Sequence, residues 1–244
     1  MNLRQKLLKP LYDLLDFMLP AGCPLCSRLL SPGDATGFCC SCQQQIPPLP
    51  VAACRHCALP YPTDIADDHL CVTCLNEKKP LFERVIAAGI YDGALKEAIH
   101  RFKYRDKINL DRPLAELILS ELKGIEPPDL IIPVPLHPRR LRQRTYNQSE
   151  LLAHLLGKKL NRPVILKQLI RHRHTLPQQG QNAADRKKNL HDAFSLTHPL
   201  HGEAILLVDD VLTTGATVRE CCRVLKKDGA GLITIAVLAR ARSH

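Results

Sequence analysis

The stretch that most constrains this chain is Ile205-Leu206-Leu207-Val208-Asp209-Asp210-Val211-Leu212-Thr213-Thr214-Gly215-Ala216-Thr217. Its four apolar residues, Ile205 to Val208, read as a strand buried on both faces of a parallel sheet. Two adjacent carboxylates follow, then a small hydroxylated turn, then a helix from Val218 to Lys227 that ends near Gly229. Free N–H groups and Thr hydroxyls in such a turn stand at the positive end of the helix, where a phosphate is favoured. Acids just upstream would reach the hydroxyls of a sugar whose 5′-phosphate sits in the turn. The pattern therefore describes a ribose 5-phosphate group. Helix capping alone would account for one Asp and one Thr, leaving a second acid and two more threonines unexplained.

The chain has 11 cysteines, many for a protein without disulfides. Eight fall in four CxxC pairs: Cys23/Cys26, Cys39/Cys42, Cys54/Cys57 and Cys71/Cys74. Each pair offers two thiolates from a tight knuckle, which suits two corners of a tetrahedral zinc site. Disulfides conflict with the lack of a secretory signal, and redox dithiols do not explain four regular pairs. Eight ligands supply two all-cysteine sites. Spacing leaves two pairings open, consecutive pairs in series or alternate pairs in a cross-braced module. Cys40 and His56 sit inside knuckles as spare ligands, whereas Cys221 and Cys222 read as core residues of the helix after the turn. The segment has few large apolar residues, so zinc, at roughly 10 kcal/mol or more per site, must supply its folding energy.

Before the cysteines, Leu3, Leu7, Leu11, Leu14 and Leu15 lie at helical spacing, and residues 1–20 read as an amphipathic helix packed on the protein or a partner, with binding to a membrane surface as the sharper alternative. Lys9-Pro10, Asp13 and Asp16 interrupt the apolar positions, so this is no secretory signal. No run is long enough to span a membrane.

Beyond Lys78-Lys79-Pro80, strands alternate with helices, the mark of a parallel α/β sheet. The expected elements are a strand Arg84–Tyr91, helices Ala94–Tyr104 and Pro113–Leu122, and a strand Leu130–Val134. A long basic loop, a helix Gln148–Lys159, a strand Val164–Leu166 and a last strand Leu232–Leu238 complete them. The loops after Val134 and Val208 should share the carboxyl edge of the sheet.

Charge is concentrated beside that edge. The chain carries 34 basic and 24 acidic residues, net +10. Thirteen Lys/Arg against Glu150 and Asp185 fall between His137 and His191, so that window alone carries +11 and the remainder is close to neutral. A diphosphate needs two or three cations. Thirteen suit a longer polyanion such as single-stranded nucleic acid, although part of any such window is simply solvated. Phe102, Tyr104 and Tyr146 are the aromatic candidates for stacking on bases.

LLVDDVLTTGAT resembles the phosphoribosyl-diphosphate signature of type I phosphoribosyltransferases, and the whole chain resembles the ComF/GntX family of competence and DNA-utilisation proteins. The narrower likeness rests on YDGALKEAIHRFKYRDK from Tyr91, IIPVPLHPRRLRQRTYNQSELLA from Ile131 and RHRHTLPQQGQNAADRKKNLHDAF from Arg171, together with the cysteine cluster. The resemblance implies an α/β fold with a type I phosphoribosyltransferase-like parallel sheet (81–244) behind a small double zinc ribbon (21–80) and the helix of 1–20. It implies that Asp209, Asp210, Thr213, Thr214, Gly215, Ala216 and Thr217 hold ribose and its phosphate. His137, Arg139, Arg140, Arg144, Asn147 and Gln148 then stand in the diphosphate- or DNA-binding loop. Family members typically read RGFNQ where this chain has Arg144-Thr145-Tyr146-Asn147-Gln148, so Thr145 replaces a glycine. Residues 171–189 resemble the family's flexible loop, with Gln178, Gln179, Gln181 and Asn182 as polar groups. Structural Zn²⁺, Mg²⁺ with phosphoribosyl diphosphate, and a cytoplasmic protein handling single-stranded DNA or its nucleotides, alongside DNA-uptake proteins, complete the expectation. An active phosphoribosyltransferase of nucleotide salvage is the alternative, and no catalytic residue is assigned.

Overall fold

A computed structural model describes residues 22–31, 34, 36–62, 69–104, 108–172 and 192–242. The expected helix of 1–20 and Gln178, Gln179, Gln181 and Asn182 lie outside them.

A four-stranded parallel sheet organises the second half. It is built from β1 (Arg84–Ala87), β2 (Leu130–Pro133), β5 (Ile205–Leu212) and β6 (Ile233–Arg240), in the order β1-β6-β5-β2. Side chains alternate across it, as pleating requires. Ile205, Leu207, Ile233, Ile235 and Val237 pack with Val218, Cys221, Cys222 and Leu225 of α7 (Ala216–Lys227). Leu206, Val208, Ala236 and Leu238 face the other way. They meet Leu95, Ile99 and Phe102 of α3 (Gly93–Tyr104), Leu114 and Ile118 of α4 (Asp111–Glu121), and Leu152 and Leu156 of α6 (Gln148–Leu160). Both faces are covered, which explains the unbroken apolar runs of the strands. Cys221 and Cys222 are wholly buried on α7, the core role expected of them.

Two expectations need correction. The basic stretch after Val134 is not a loop throughout: Pro138–Arg144 form a short helix, α5. His137 caps it, its Nδ1 accepting from Arg139 N at 3.2 Å, and Pro138 sits at the first helical position, which proline tolerates because that N–H is unpaired anyway. The strand Val164–Leu166 shrinks to one bridge, Val164 to Ile131. Pro163 has no N–H to extend a ladder. The residues that do pair are β3 (Leu169–Arg171) and β4 (Phe194–Leu196), a two-stranded antiparallel ribbon.

The cysteine half makes two copies of one pattern. Each opens with a knuckle, closed by Cys23 N donating to Arg28 O at 2.7 Å and by Cys54 N donating to Leu59 O at 2.8 Å. Each then places its second CxxC at the start of a short helix, α1 (Cys40–Gln44) after Cys39 and α2 (Val72–Leu75) after Cys71. The copies sit on opposite faces of the sheet. Cys23, Cys39 and Cys42 join the core with α3 and α4, while Cys54, Cys57, Cys71 and Cys74 join the core with α7.

The connection between the copies and the second knuckle both meet the sheet's first edge. Val85 N donates to His56 O at 2.8 Å and Ile90 N to Pro47 O at 2.9 Å. Gly89 is required there, because a Cβ would stand 2.5 Å from Pro47 O. The opposite edge, β2, is met by Ile131 N donating to Pro163 O at 2.9 Å and Ile165 N to Ile131 O at 3.0 Å.

Candidate functional site

The carboxyl ends of β2 and β5 are adjacent, with Pro133 in register with Val208 and Val134 N donating to Val208 O at 2.9 Å. The loops that follow β2 and β5 therefore open on one edge, but β5 runs past Val208 to Leu212, still paired with β6, so the second loop begins four residues later than the apolar run suggests. Asp209 and Asp210 lie within the carboxyl half of β5, before Val211 and Leu212. Thr213 and Thr214 are exposed, and Gly215, at φ +77°, turns the chain into α7. Only glycine adopts that conformation cheaply. Thr213 and Thr214 thus present their hydroxyls at the start of a 12-residue helix, where Ala216 N donates to Thr214 Oγ1 at 3.4 Å.

The two acids differ. Asp209 accepts from Ser149 Oγ at 3.1 Å and from Asp210 N at 2.8 Å. Burial, and then the charge of Asp210, nevertheless raise its carboxyl to about 7. Asp210 pairs with Lys103, Nζ to Oδ2 at 2.9 Å, both side chains largely buried. Lys103 lies in the last turn of α3, and the sequence does not single it out, since no spacing rule links it to Asp210.

A wall of cations stands beside the acids. Burial, then the neighbouring Arg144, hold Arg140 below the ordinary guanidinium value, and Asp210 acts the other way. Burial and then Arg140 do the same to Arg171, which is 7% exposed on β3 and feels the charge of Asp209. His137 is lowered by burial and then by Arg171. Arg144 lies 4.9 Å over the ring of Tyr104, donates to its hydroxyl at 2.9 Å, and donates to Gln148 Oε1 at 3.3 Å. Crowded, partly desolvated cations of this kind favour an arriving anion. The sequence offers Arg171 as one of the basic window and as the first residue of the loop-like segment 171–189, whereas it closes the strand β3. The β3-β4 pairing that brings it here has no local signature.

Of the remaining expected residues, Arg139 is exposed, whereas Asn147 and Gln148 are 3% and 1% exposed and occupied with the chain itself. Asn147 caps α6, its Oδ1 accepting from Ser149 N at 3.1 Å, while its Nδ2 donates to Val134 O at 3.1 Å. Gln148 donates to Phe102 O at 3.4 Å. Both lock the basic helix to the strand end. Thr145, in the position of the family glycine, has φ +68° and ψ −33°, a strained conformation for a β-branched residue. Phe102 is fully buried and cannot stack on a base; Tyr104, at 60% exposure, can.

The cysteines gather as consecutive pairs, which settles the pairing that spacing left open: Cys23, Cys26, Cys39 and Cys42 in one cluster, Cys54, Cys57, Cys71 and Cys74 in the other. Within each, all sulfurs lie within 4.8 Å of one another. Tetrahedral zinc with Zn–S bonds near 2.3 Å wants sulfurs about 3.8 Å apart, so both sets fit with small adjustments. Burial opposes ionisation of Cys23, but backbone N–H groups of Cys39, Cys26 and Leu25 outweigh it and lower the thiol to about 6. Cys54, its counterpart, is lowered to about 6 in the same way by Cys57, Cys71 and His56. Knuckle amides thus prepare thiolates for a metal. Cys40 is exposed and outside both clusters; the His56 ring stacks on Phe82 at 4.3 Å and its Nδ1 lies 2.9 Å from Glu83 O, so its imidazole is engaged away from the sulfurs.

Comparison with known proteins agrees with this geometry. A double zinc ribbon domain model matches residues 14–75 and a phosphoribosyl transferase domain model matches residues 148–244. The chain is 36% identical over 216 residues to competence protein F of Haemophilus influenzae, covering 84% of this chain and 91% of that protein. It is 33% identical over 229 residues to the DNA utilization protein YhgH of Escherichia coli K12, covering 91% and 98%. Among solved structures, the glutamine phosphoribosylpyrophosphate amidotransferase of B. subtilis is similar at 20% identity and a TM-score of 0.40, over 57% of this chain and 30% of that one. With its two four-cysteine clusters and its phosphoribosyltransferase-like sheet, the chain belongs to the ComF family of competence and DNA-utilisation proteins.

Proposed function

We propose that this protein binds a phosphorylated ribose, such as phosphoribosyl diphosphate with Mg²⁺, at the carboxyl edge of its sheet, and handles single-stranded DNA or its nucleotides in the cytoplasm along the adjoining basic wall. The observation that carries the reading is the meeting of three groups: the Asp209-Asp210 pair, the open Thr213–Thr217 turn, and the crowded cations Lys103, Arg140 and Arg171. The turn takes the 5′-phosphate, the acids take the ribose hydroxyls, and His137, Arg140 and Arg171 meet the diphosphate or a DNA backbone. Mg²⁺, when bound, neutralises the diphosphate. Residues 21–80 serve in this reading as a zinc-held module on the 81–244 domain, with zinc structural in both clusters.

The raised Asp209 favours a second reading, an active phosphoribosyltransferase of nucleotide salvage, because a carboxyl near 7 can take up a proton at working pH. Positioning and charge stabilisation would then carry the reaction.

Calorimetric titration with phosphoribosyl diphosphate plus Mg²⁺, beside titration with a single-stranded oligonucleotide, tests the proposal. Wild-type protein binds both, and Thr214→Asp, which puts a negative charge in the turn, loses the sugar ligand by at least about tenfold, or 1.4 kcal/mol. Unchanged binding by Thr214→Asp removes the turn from the site. Release of diphosphate on adding a nitrogen base would favour the salvage enzyme.

A further inference from the structure

Arg240, at the end of β6, is 5% exposed and spends its guanidinium on backbone carbonyls from two distant parts of the chain. Its Nε donates to Cys57 O at 3.0 Å, within the second cysteine cluster. Its Nη1 donates to Leu212 O at 2.9 Å, to Ala241 O at 2.8 Å and to Thr213 O. Leu212 and Thr213 lead directly into the phosphate turn. Ala241 N also donates to Leu212 O at 2.9 Å, so the same carbonyl is held twice.

A second arginine makes the corresponding link on the other side of the turn. Arg219, one helical turn into α7, pairs with Glu77, donates to Cys74 Sγ at 3.7 Å, and lies 5.3 Å over Phe82. Its own amide donates to Gly215 O at 2.9 Å. Leu59, Phe82, Leu212 and Val218 close the small space between the cluster and the turn. The first cluster has no comparable link among the described residues. Its arginine, Arg101, reaches Pro24 O and Leu25 O from α3, on the opposite face of the sheet.

We infer that the second zinc cluster is coupled to the phosphate turn through Arg240, a positioning residue that holds the entry to the turn only while the Cys57 knuckle is held by metal. A rigid fork with several donors can fix carbonyls in one geometry, and a lysine cannot. Loss of metal frees Cys57 O, then Leu212 and Thr213, and the turn loses the fixed backbone that an anion site needs. Linkage makes the effect reciprocal: a ligand that holds the turn also retains the metal. Only this ligand effect rests on the function proposed above.

Hydrogen exchange of peptides spanning residues 212–217, in the full-length protein, tests the coupling without any ligand. Three variants are compared with wild type: Cys57→Ser in the second cluster, Cys26→Ser in the first, and Arg240→Met with both clusters intact. Exchange at 212–217 rises in Cys57→Ser and in Arg240→Met and stays at the wild-type level in Cys26→Ser, while Arg240→Met keeps the wild-type zinc content. Unchanged exchange in Arg240→Met, or an equal rise in both cysteine variants, overturns the inference. If Arg240→Met does not fold, the two cysteine variants decide it alone. In a second arm, phosphoribosyl diphosphate with Mg²⁺ raises the apparent zinc affinity, read by equilibrium competition with a chelator, by about fivefold in wild type, the low end of measured couplings, and not in Arg240→Met. Unchanged zinc affinity in a wild type that calorimetry shows to bind the ligand counts against the coupling. A wild type that binds no ligand defeats the proposed function and leaves the exchange result standing.

Discussion

Lys103 Nζ lies 2.9 Å from Asp210 Oδ2, with the two side chains only 13% and 14% exposed, so an internal cation already engages one of the acids proposed to meet a sugar. Truncating Lys103 leaves two neighbouring carboxylates without that compensation. Lys103→Met is expected to cost about 2 kcal/mol at pH 8, a modest figure for breaking a largely buried pair. The loss shrinks at pH 5, where Asp209 takes up a proton. Urea unfolding at the two pH values measures both, and a pH-independent loss would argue that the pair contributes packing alone.

The raised Asp209 carboxyl has its own signature. A carboxyl lifted to about 7 in the folded chain holds a proton that the unfolded chain gives up near its ordinary value, so it costs stability as pH rises from about 4 to about 7. Asp209→Asn removes that cost. Its melting temperature should exceed wild type at pH 8, by about 2–4 °C for each 1 kcal/mol relieved in a chain of this size, and match wild type at pH 4. Thermal denaturation across that range checks the sign.

Thr145 stands at φ +68°. Relieving a left-handed L-residue is worth about 1–2 kcal/mol, against about 0.5–1 kcal/mol for glycine's extra freedom when unfolded. Thr145→Gly should therefore stabilise the protein by about 0.5–1 kcal/mol by urea unfolding, and Thr145→Ala by less than half as much.

Both clusters should hold metal in the reduced protein. Two zinc ions per chain are expected by elemental analysis, and less than one would remove zinc as the organiser of the cysteine half.

The basic wall predicts the salt dependence of DNA binding. With about six phosphates engaged, log affinity for a single-stranded oligonucleotide should fall with log salt at a slope near −4. Arg140→Ala with Arg144→Ala should flatten it by about two contacts' worth, and Tyr104→Ala should weaken binding by about 1–3 kcal/mol at any salt if a base stacks there. Absence of binding at low salt would return the wall to the small ligand alone.

The parts of the molecule legible in the sequence are those encoded locally. Ile205 to Thr217 spells a strand, two acids and a turn within one stretch, and each CxxC pair carries its own knuckle. Helix α5 was missed because Pro138 reads as loop punctuation unless His137 is recognised as its cap. Lys103, Arg171 and Arg240 reach the site or its supports from α3, β3 and the end of β6. Nothing in their neighbours announces this; only the sheet order and the β3-β4 pairing bring them together. Burial of Asn147 and Gln148 is likewise a tertiary fact, since one reads as a polar loop residue beside a basic run and the other as the polar start of a helix.

The contacts along β1 give the cysteine half another consequence. A sheet edge presents unpaired N–H and C=O groups that readily recruit a strand from a second chain. Here His56 O, in the second knuckle, and Pro47 O, in the segment joining the two ribbons, occupy the N–H groups of Val85 and Ile90, so the cysteine half covers part of that edge. A fragment beginning at residue 81 would lose that protection together with apolar cover on both faces, and light scattering should find it self-associating where the full chain does not. Part of what the metal secures is thus the solubility of a sheet it never touches.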